Sequence, residues 1–484
     1  MASMETKTVS QLDEGTLHRI QADSLRLLEE VGVFVGDPGC RQLLKRAGAR
    51  IVGQSETVRL PKEMVLEAVG QLTGSFALFD LDGKPMALPS ERPRAGSRVR
   101  MPRFLDYGAR ESRQVRRQDT INLCHLTQAL PRYQWSVVID TPASDGVPEL
   151  DYAESMALAN AILGHPTLTA PTTEAGMRMC IELATAASRG GDIDARPSFL
   201  VCVNTTSPLQ IAGEECRVLR CAVEAGVPID VEPMTAAGAT TPFTLAGTLM
   251  VENAEVLFML CLANTVRPGA RVMESTVGSI MNMKHANLSL AAPEALLLAS
   301  AEAALTRLHG LPVMRMGGYS DPYYLDIQTG IEKTAFTLMI VLSGADLVLM
   351  GGPLRMAAHQ SYESLLIDHD IWEFVDRCTT EIVVDDERLA YDTAVEVGIG
   401  GSYFETAHTL RWLRSGEHYY GGSFDRSGRP GEEYTILART HERVKEILSR
   451  PLSYAAPPDA VERIKRYVRD RARSVGVAAP EWAC

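Results

Sequence analysis

Ser198–Glu232 reads SFLVCVNTTSPLQIAGEECRVLRCAVEAGVPIDVE. Two short apolar runs, Ser198–Val203 and Pro228–Glu232, enclose a helical pattern at Gly213–Glu224. A run that is apolar at successive positions reads as a strand buried on both faces, and two such strands joined by a helix form a parallel crossover unit. The same rhythm extends both ways. Ser136–Asp140 and Thr167–Ala170 precede it, and Arg271–Glu274, Pro312–Met316 and Asp346–Met350 follow. Helical patterns fill the gaps at Leu150–Leu163, Ala254–Ala263, Ala292–Leu308 and Gln328–Ser343. These seven strands at near-regular spacing predict an eight-stranded parallel α/β barrel of the TIM type. The eighth strand is expected either near Thr380–Val384 or from the segment before residue 134. An open doubly wound sheet shares the rhythm, but no G-x-G-x-x-G follows the first strand and no G-x-x-x-x-G-K-[ST] occurs.

Residues 1–133 read as an N-terminal extension. Apolar positions Leu17, Ile20, Leu25, Leu28 and Val31 mark an amphipathic helix ending at Gly32, followed by extended pieces at Ala49–Val52 and Thr57–Leu60. Pro61 then opens a helix, and Phe76–Asp80 with Pro85–Leu88 form a hairpin across Asp82-Gly83. Residues 134–431 form the expected barrel core. Residues 432–484 read as a C-terminal helical extension, broken at Pro451–Pro458 and closed by a basic helix to about Arg473.

The formal charge of −13 and the absence of long Lys/Arg runs argue against nucleic acid as a partner. Met1–Gln11 is polar and no run reaches about 18 uninterrupted apolar residues, so a cytoplasmic chain without a membrane segment is expected. The nine cysteines are scattered without a CxxC pair and read as reduced core thiols. The ten histidines form no HxH or HExxH pattern, so no protein-held metal is expected. No G-x-S-x-G elbow, Cys/His pairing or Schiff-base lysine signature stands out.

In a barrel of this kind the site lies at the C-terminal strand ends. There the chain carries Glu274, Arg315, the Gly317-Gly318-Tyr319-Ser320-Asp321 turn, His359 and Tyr362, with a small-residue loop from Glu232 to Gly247. An arginine beside an apolar interior either pairs with Glu274 or Asp321 or holds a ligand carboxylate. Tyr319, Tyr323, Tyr324 and Phe104 are candidate faces of a cage for a quaternary ammonium, each ring having an alternative role in core or lid.

Leu27–Val33, Ala239–Gly247, Asp326–Glu332, Val397–Gly401 and His408-Thr409, in this order, make the chain resemble the trimethylamine methyltransferase family. The resemblance spans about residues 15–445 and is greatest to members that lack pyrrolysine and act on glycine betaine and related quaternary amines. It implies a barrel, a homo-oligomer, and methyl transfer to cob(I)alamin carried by a cognate corrinoid protein. It also implies that Arg315 and His359 hold the donor carboxylate, Phe104 contacts the cation, Glu274 and Gln328 orient the donor, and Gly317, Gly318 and Asp321 face the cofactor. Arg315–Glu332 contains only standard residues, which makes trimethylamine itself an unexpected substrate. Met101–Leu105 departs from the small-residue and tyrosine pattern of the family at the cation contact. Two other readings are compatible with the residues: a barrel that binds a betaine-like solute without chemistry, and a lyase or isomerase using Glu274 and His359 as acid and base.

Overall fold

The computed structural model describes residues 12–139, 143–146, 150–188 and 191–484. The chain enters the barrel at β1 (Arg94–Arg100), followed by α1 (Arg117–Gln128), β2 (Tyr133–Ile139), α2 (Asp151–Leu163), β3 (Thr167–Ala170) and α3 (Glu174–Ala187). Then come β4 (Phe199–Val203), α4 (Gly213–Glu224), β5 (Ile229–Val231), α5 (Leu245–Val266), β6 (Val272–Glu274) and α6 (Pro293–Leu308). The circuit ends with β7 (Met314–Met316), α7 (Ile327–Leu342), β8 (Leu347–Leu349) and α8 (Tyr362–Cys378). Strand order is β6-β5-β4-β3-β2-β1-β8-β7, with every pair parallel. The ring closes between β6 and the approach to β7, where the Glu274 amide donates to Pro312 O at 3.2 Å and Glu274 lies beside Val313.

The apolar runs behave as strands because both faces are covered. Val201, Val203, Ile229, Val231 and Val272 pack outward with Leu219 of α4 and Leu257 of α5, whereas Leu200, Cys202, Met273 and Met314 belong to the inner core. The longest barrel helix, α5, is long and apolar enough to cross a membrane by length and composition, and 78% of its apolar window is buried in the barrel wall. An all-round apolar helix needs cover on every side. The N-terminal helix Glu14–Glu30 supplies part of that cover, its Ser24 Oγ donating to Met250 O at 2.8 Å.

The eighth strand is β1, from the segment before residue 134. Thr380–Val384 is not a strand, and Ile382 there is 88% exposed. The barrel therefore begins inside the stretch expected as extension, and its last helix ends at Cys378 rather than near residue 431. Arg94–Arg100 was hard to recognise because three arginines interrupt its apolar residues. Asp140, the expected end of β2, lies outside the described residues.

Beyond the strand ends two small sheets shape the mouth. Met234–Ala237 pairs in parallel with Val277–Asn282, and Asn287–Ser289 pairs antiparallel with the latter. Pro353–Leu354, His359–Gln360, Arg103–Phe104 and Arg113–Gln114 form a four-stranded cap.

Candidate active site at the barrel mouth

β1 and β5 lie opposite each other, so their inward side chains meet only across the interior. From β1, Arg98 sends its Nη2 to Met316 Sδ at 3.7 Å, and its Nε has no hydrogen-bond partner. From β5 and its end come Asp230 and Glu232, joined by Cys202 of β4 and Ser275 after β6. Ser275 Oγ donates within 2.5 Å of Asp230 Oδ2 and lies 3.1 Å from Glu232 Oε2. All five residues are buried. Tyr319 completes the group, and its hydroxyl lies within electrostatic reach of Arg98, Glu232 and Cys202.

Burial raises the Glu232 carboxyl to about 7 against the pull of Arg98. Burial and then the neighbouring Glu232 push Asp230 well above the usual carboxylate range. Burial, Glu232 and Asp230 likewise raise the Cys202 thiol. Acids crowded in this way favour an added positive charge. Cys202, Asp230 and Glu232 also present ligand-type atoms within 4.8 Å of one another, a cluster hidden from sequence spacing because two strands supply it.

Gly351 makes this arrangement possible. At φ 104° its Cα passes so close to β1 that a Cβ would lie 2.1 Å from Arg98 N. Only a residue without a side chain fits there.

The expected site residues separate into different places. Arg315 leaves the barrel: its Nη1 donates to Glu274 O at 3.1 Å and Met314 O at 2.7 Å, and its Nη2 to Thr306 Oγ1 of α6 at 2.9 Å. At 1% exposure, among Glu302, Glu274 and Glu252, it answers buried carboxylates rather than a donor carboxylate. The reason is the strand's alternation, which turns Met314 and Met316 inward and Arg315 outward. Glu274 also turns outward, to His309 Nδ1 at 2.7 Å. Although burial opposes it, His309 holds Glu274 below the ordinary carboxylate range.

His359 sits in the cap, its Nε2 2.8 Å from Tyr323 O. That carbonyl only accepts, so Nε2 carries the proton, and burial keeps the ring towards the neutral form. The remaining Nδ1 lone pair would repel a carboxylate. Glu274, on the α6 side, and His359, in the cap, do not form an acid–base pair.

Phe104 and His359 lie on paired strands of the cap sheet, where Phe104 is in register with Gln360 and His359 with Arg103, and the Phe104 ring is tilted against Tyr362 at 4.5 Å and lies beneath Arg113. Tyr323 lies 4.4 Å from the His359 ring and 4.9 Å from Tyr324. Its hydroxyl donates to Ser112 Oγ and Arg355 covers the ring, so these faces are already occupied. Gln328 is exposed and donates to Glu332. Asp321 accepts from Ser289 Oγ and the Leu290 amide. Gly317 and Gly318 are closed over by Met350 and Asp368, which leaves no open cradle. Of the expected set, Tyr319 alone joins the interior cluster. Sequence reading missed Arg98, Cys202, Asp230 and Ser275. The available signal was an acid inside the apolar strand Ile229–Val231.

A cavity of about 790 Å³ lies away from this chemistry, between helix Glu14–Glu30 and the outer sides of α5 and α6. It is an apolar surface groove with no inward polar groups from the strand ends.

The fold and the mouth define a class: a parallel α/β barrel with a buried, mixed-charge cluster at the C-terminal strand ends. The family model of trimethylamine methyltransferase matches residues 2–476, and the chain belongs to that family. It is 28% identical over 448 residues to the trimethylamine methyltransferase of Methanosarcina barkeri (strain Fusaro), covering 89% of each chain. It is 26% identical over 482 residues to the glycine betaine methyltransferase of Desulfitobacterium hafniense (strain Y51), covering 96% of this chain and 98% of the other. The crystal structure of the Methanosarcina barkeri monomethylamine methyltransferase shares the fold at TM-score 0.52 and 12% identity, over 91% of this chain and 95% of that one.

Proposed function

We propose that the chain transfers a methyl group from a small quaternary ammonium of the betaine type to the cob(I)alamin of a separate corrinoid protein, in the cytoplasm. The observation that carries this reading is Arg98 within electrostatic reach of Glu232 in the barrel interior, with Asp230 joined to Glu232 through Ser275. A zwitterion fits that polarity: its carboxylate meets the Arg98 guanidinium, and its ammonium meets the two acids. A bound ammonium favours the charged form of both acids. Met316 and Tyr319, both buried beside Arg98, would help to exclude water.

A cob(I)alamin brought by the partner would supply the electron pair for the new bond to carbon, while the C–N pair returns to nitrogen and a neutral tertiary amine leaves. No proton has to reach the leaving nitrogen. The chain's task is to orient one methyl towards the mouth. The acceptor arrives on a partner, and the loops after β5 and β6 leave Met234, Phe243, Met283 and Leu288 exposed at that end. Nine free cysteines, seven of them buried, suit a reducing compartment.

The test mixes the protein with chemically reduced cob(I)alamin and, separately, glycine betaine, proline betaine, carnitine, γ-butyrobetaine, choline and trimethylamine. Conversion to methylcobalamin is expected with a carboxylate-bearing quaternary amine and not with trimethylamine. Activity independent of cobalamin, or equal turnover of a betaine by parent and Arg98→Ala, would sink the reading.

A further inference from the structure

Cys202 and Asp230 are direct register partners on β4 and β5, both facing the interior, and Glu232 follows on the same face. One ligand-type atom from each lies within 4.8 Å of the other two. Asp230 is fully buried, yet its Oδ1 has no hydrogen-bond partner, while Ser275 holds its Oδ2. A bare carboxylate oxygen in a packed interior is costly unless something occupies the space before it.

We propose that Cys202, Asp230 and Glu232 bind a thiophilic divalent cation of the Zn²⁺ class, in the place assigned above to the donor's ammonium, so that metal and donor exclude each other. The metal site rests on this geometry. The exclusion rests on the proposed function. One sulfur and two carboxylate oxygens suit Zn²⁺ and disfavour Mg²⁺ and Ca²⁺, which take oxygen ligands. Three protein ligands leave a fourth position for water, on the side of Arg98 and Tyr319. A thiolate and two carboxylates balance one dication together with the Arg98 guanidinium. The donor's ammonium has no lone pair and cannot be a ligand, so the metal displaces it rather than activating it.

The test uses the full chain, stripped with a chelator and titrated with Co²⁺ as a spectroscopic substitute. The expected result is a thiolate-to-cobalt charge-transfer band saturating at one Co²⁺ per chain and discharged by Zn²⁺. It should be lost in Cys202→Ser and Asp230→Asn and weakened by glycine betaine or tetramethylammonium. Circular dichroism and melting of Cys202→Ser check that the variant folds. Absence of the band, or its survival in a folded Cys202→Ser chain, overturns the metal site. A band unmoved by saturating glycine betaine, in a chain that demethylates it, overturns the exclusion. If no quaternary amine were turned over, the proposed function would fall, while the cobalt band would still decide the metal.

Discussion

Arg98 reaches into the barrel with its Nε unpartnered, whereas Arg315 spends its guanidinium on Glu274 O, Met314 O and Thr306 Oγ1. Substitution should separate the two. Arg98→Ala is expected to lower kcat/KM for a betaine about 100-fold, roughly the worth of a charge-assisted carboxylate contact, with little change in melting. Arg315→Ala should instead cost about 3 kcal/mol in denaturant unfolding, because it strands buried carboxylates. Equal effects of the two on stability would contradict this assignment. Glu215 offers a pH test. Burial raises its carboxyl to about 7, against the Asn204 amide that donates to it at 2.8 Å. A raised acid holds a proton in the folded state that the unfolded chain has released, so stability falls as pH rises from the ordinary carboxylate value to about 7. The loss is on the order of 3 kcal/mol at most. Glu215→Gln should flatten that slope in urea melts at stepped pH.

The segment Asp326–Glu332, which carries part of the family resemblance, has an architectural duty at the element scale. Asp326 Oδ1 accepts from the Thr329 amide at 2.8 Å and caps α7, and Glu332 accepts from the Asp321 amide at 2.8 Å. Asp326→Ala should therefore cost about 1 kcal/mol of stability and leave KM unchanged. A rise in KM without loss of stability would restore a ligand role. Gly351→Ala should be more damaging, since its Cβ would strike the Arg98 backbone. We expect lower melting and lost donor binding together, read by calorimetry. Most elements were legible because hydrophobic period and caps are local. Thr167–Ala170 matches its expected bounds, and six other strands agree within a few residues. β1 escaped because Arg98 and Arg100 are buried polar residues whose partners lie far along the chain.

At the scale of the whole molecule, the strap between α8 and the helix Ile436–Leu448 leaves Ile382, Tyr391, Ile399 and Phe404 at least 75% exposed. Large apolar side chains so exposed along one segment suit a contact with another chain. The protein should therefore run larger than one chain in light scattering, and Ile399→Asp with Phe404→Asp should shift it towards the monomer while preserving the barrel's circular dichroism. A monomeric parent would refute the strap as a self-contact.

Sequence alone determined the class of fold, because a strand buried on both faces and an amphipathic helix write their periods into neighbouring residues. It also determined the family, because the matching segments recur in order along the chain. Which arginine faces the barrel interior was decided only by closure of the barrel. Closure sets the inward or outward sense of each strand position and brings Arg98, Cys202, Asp230, Glu232 and Ser275 together from strands whose separation in sequence carries no signal of their contact.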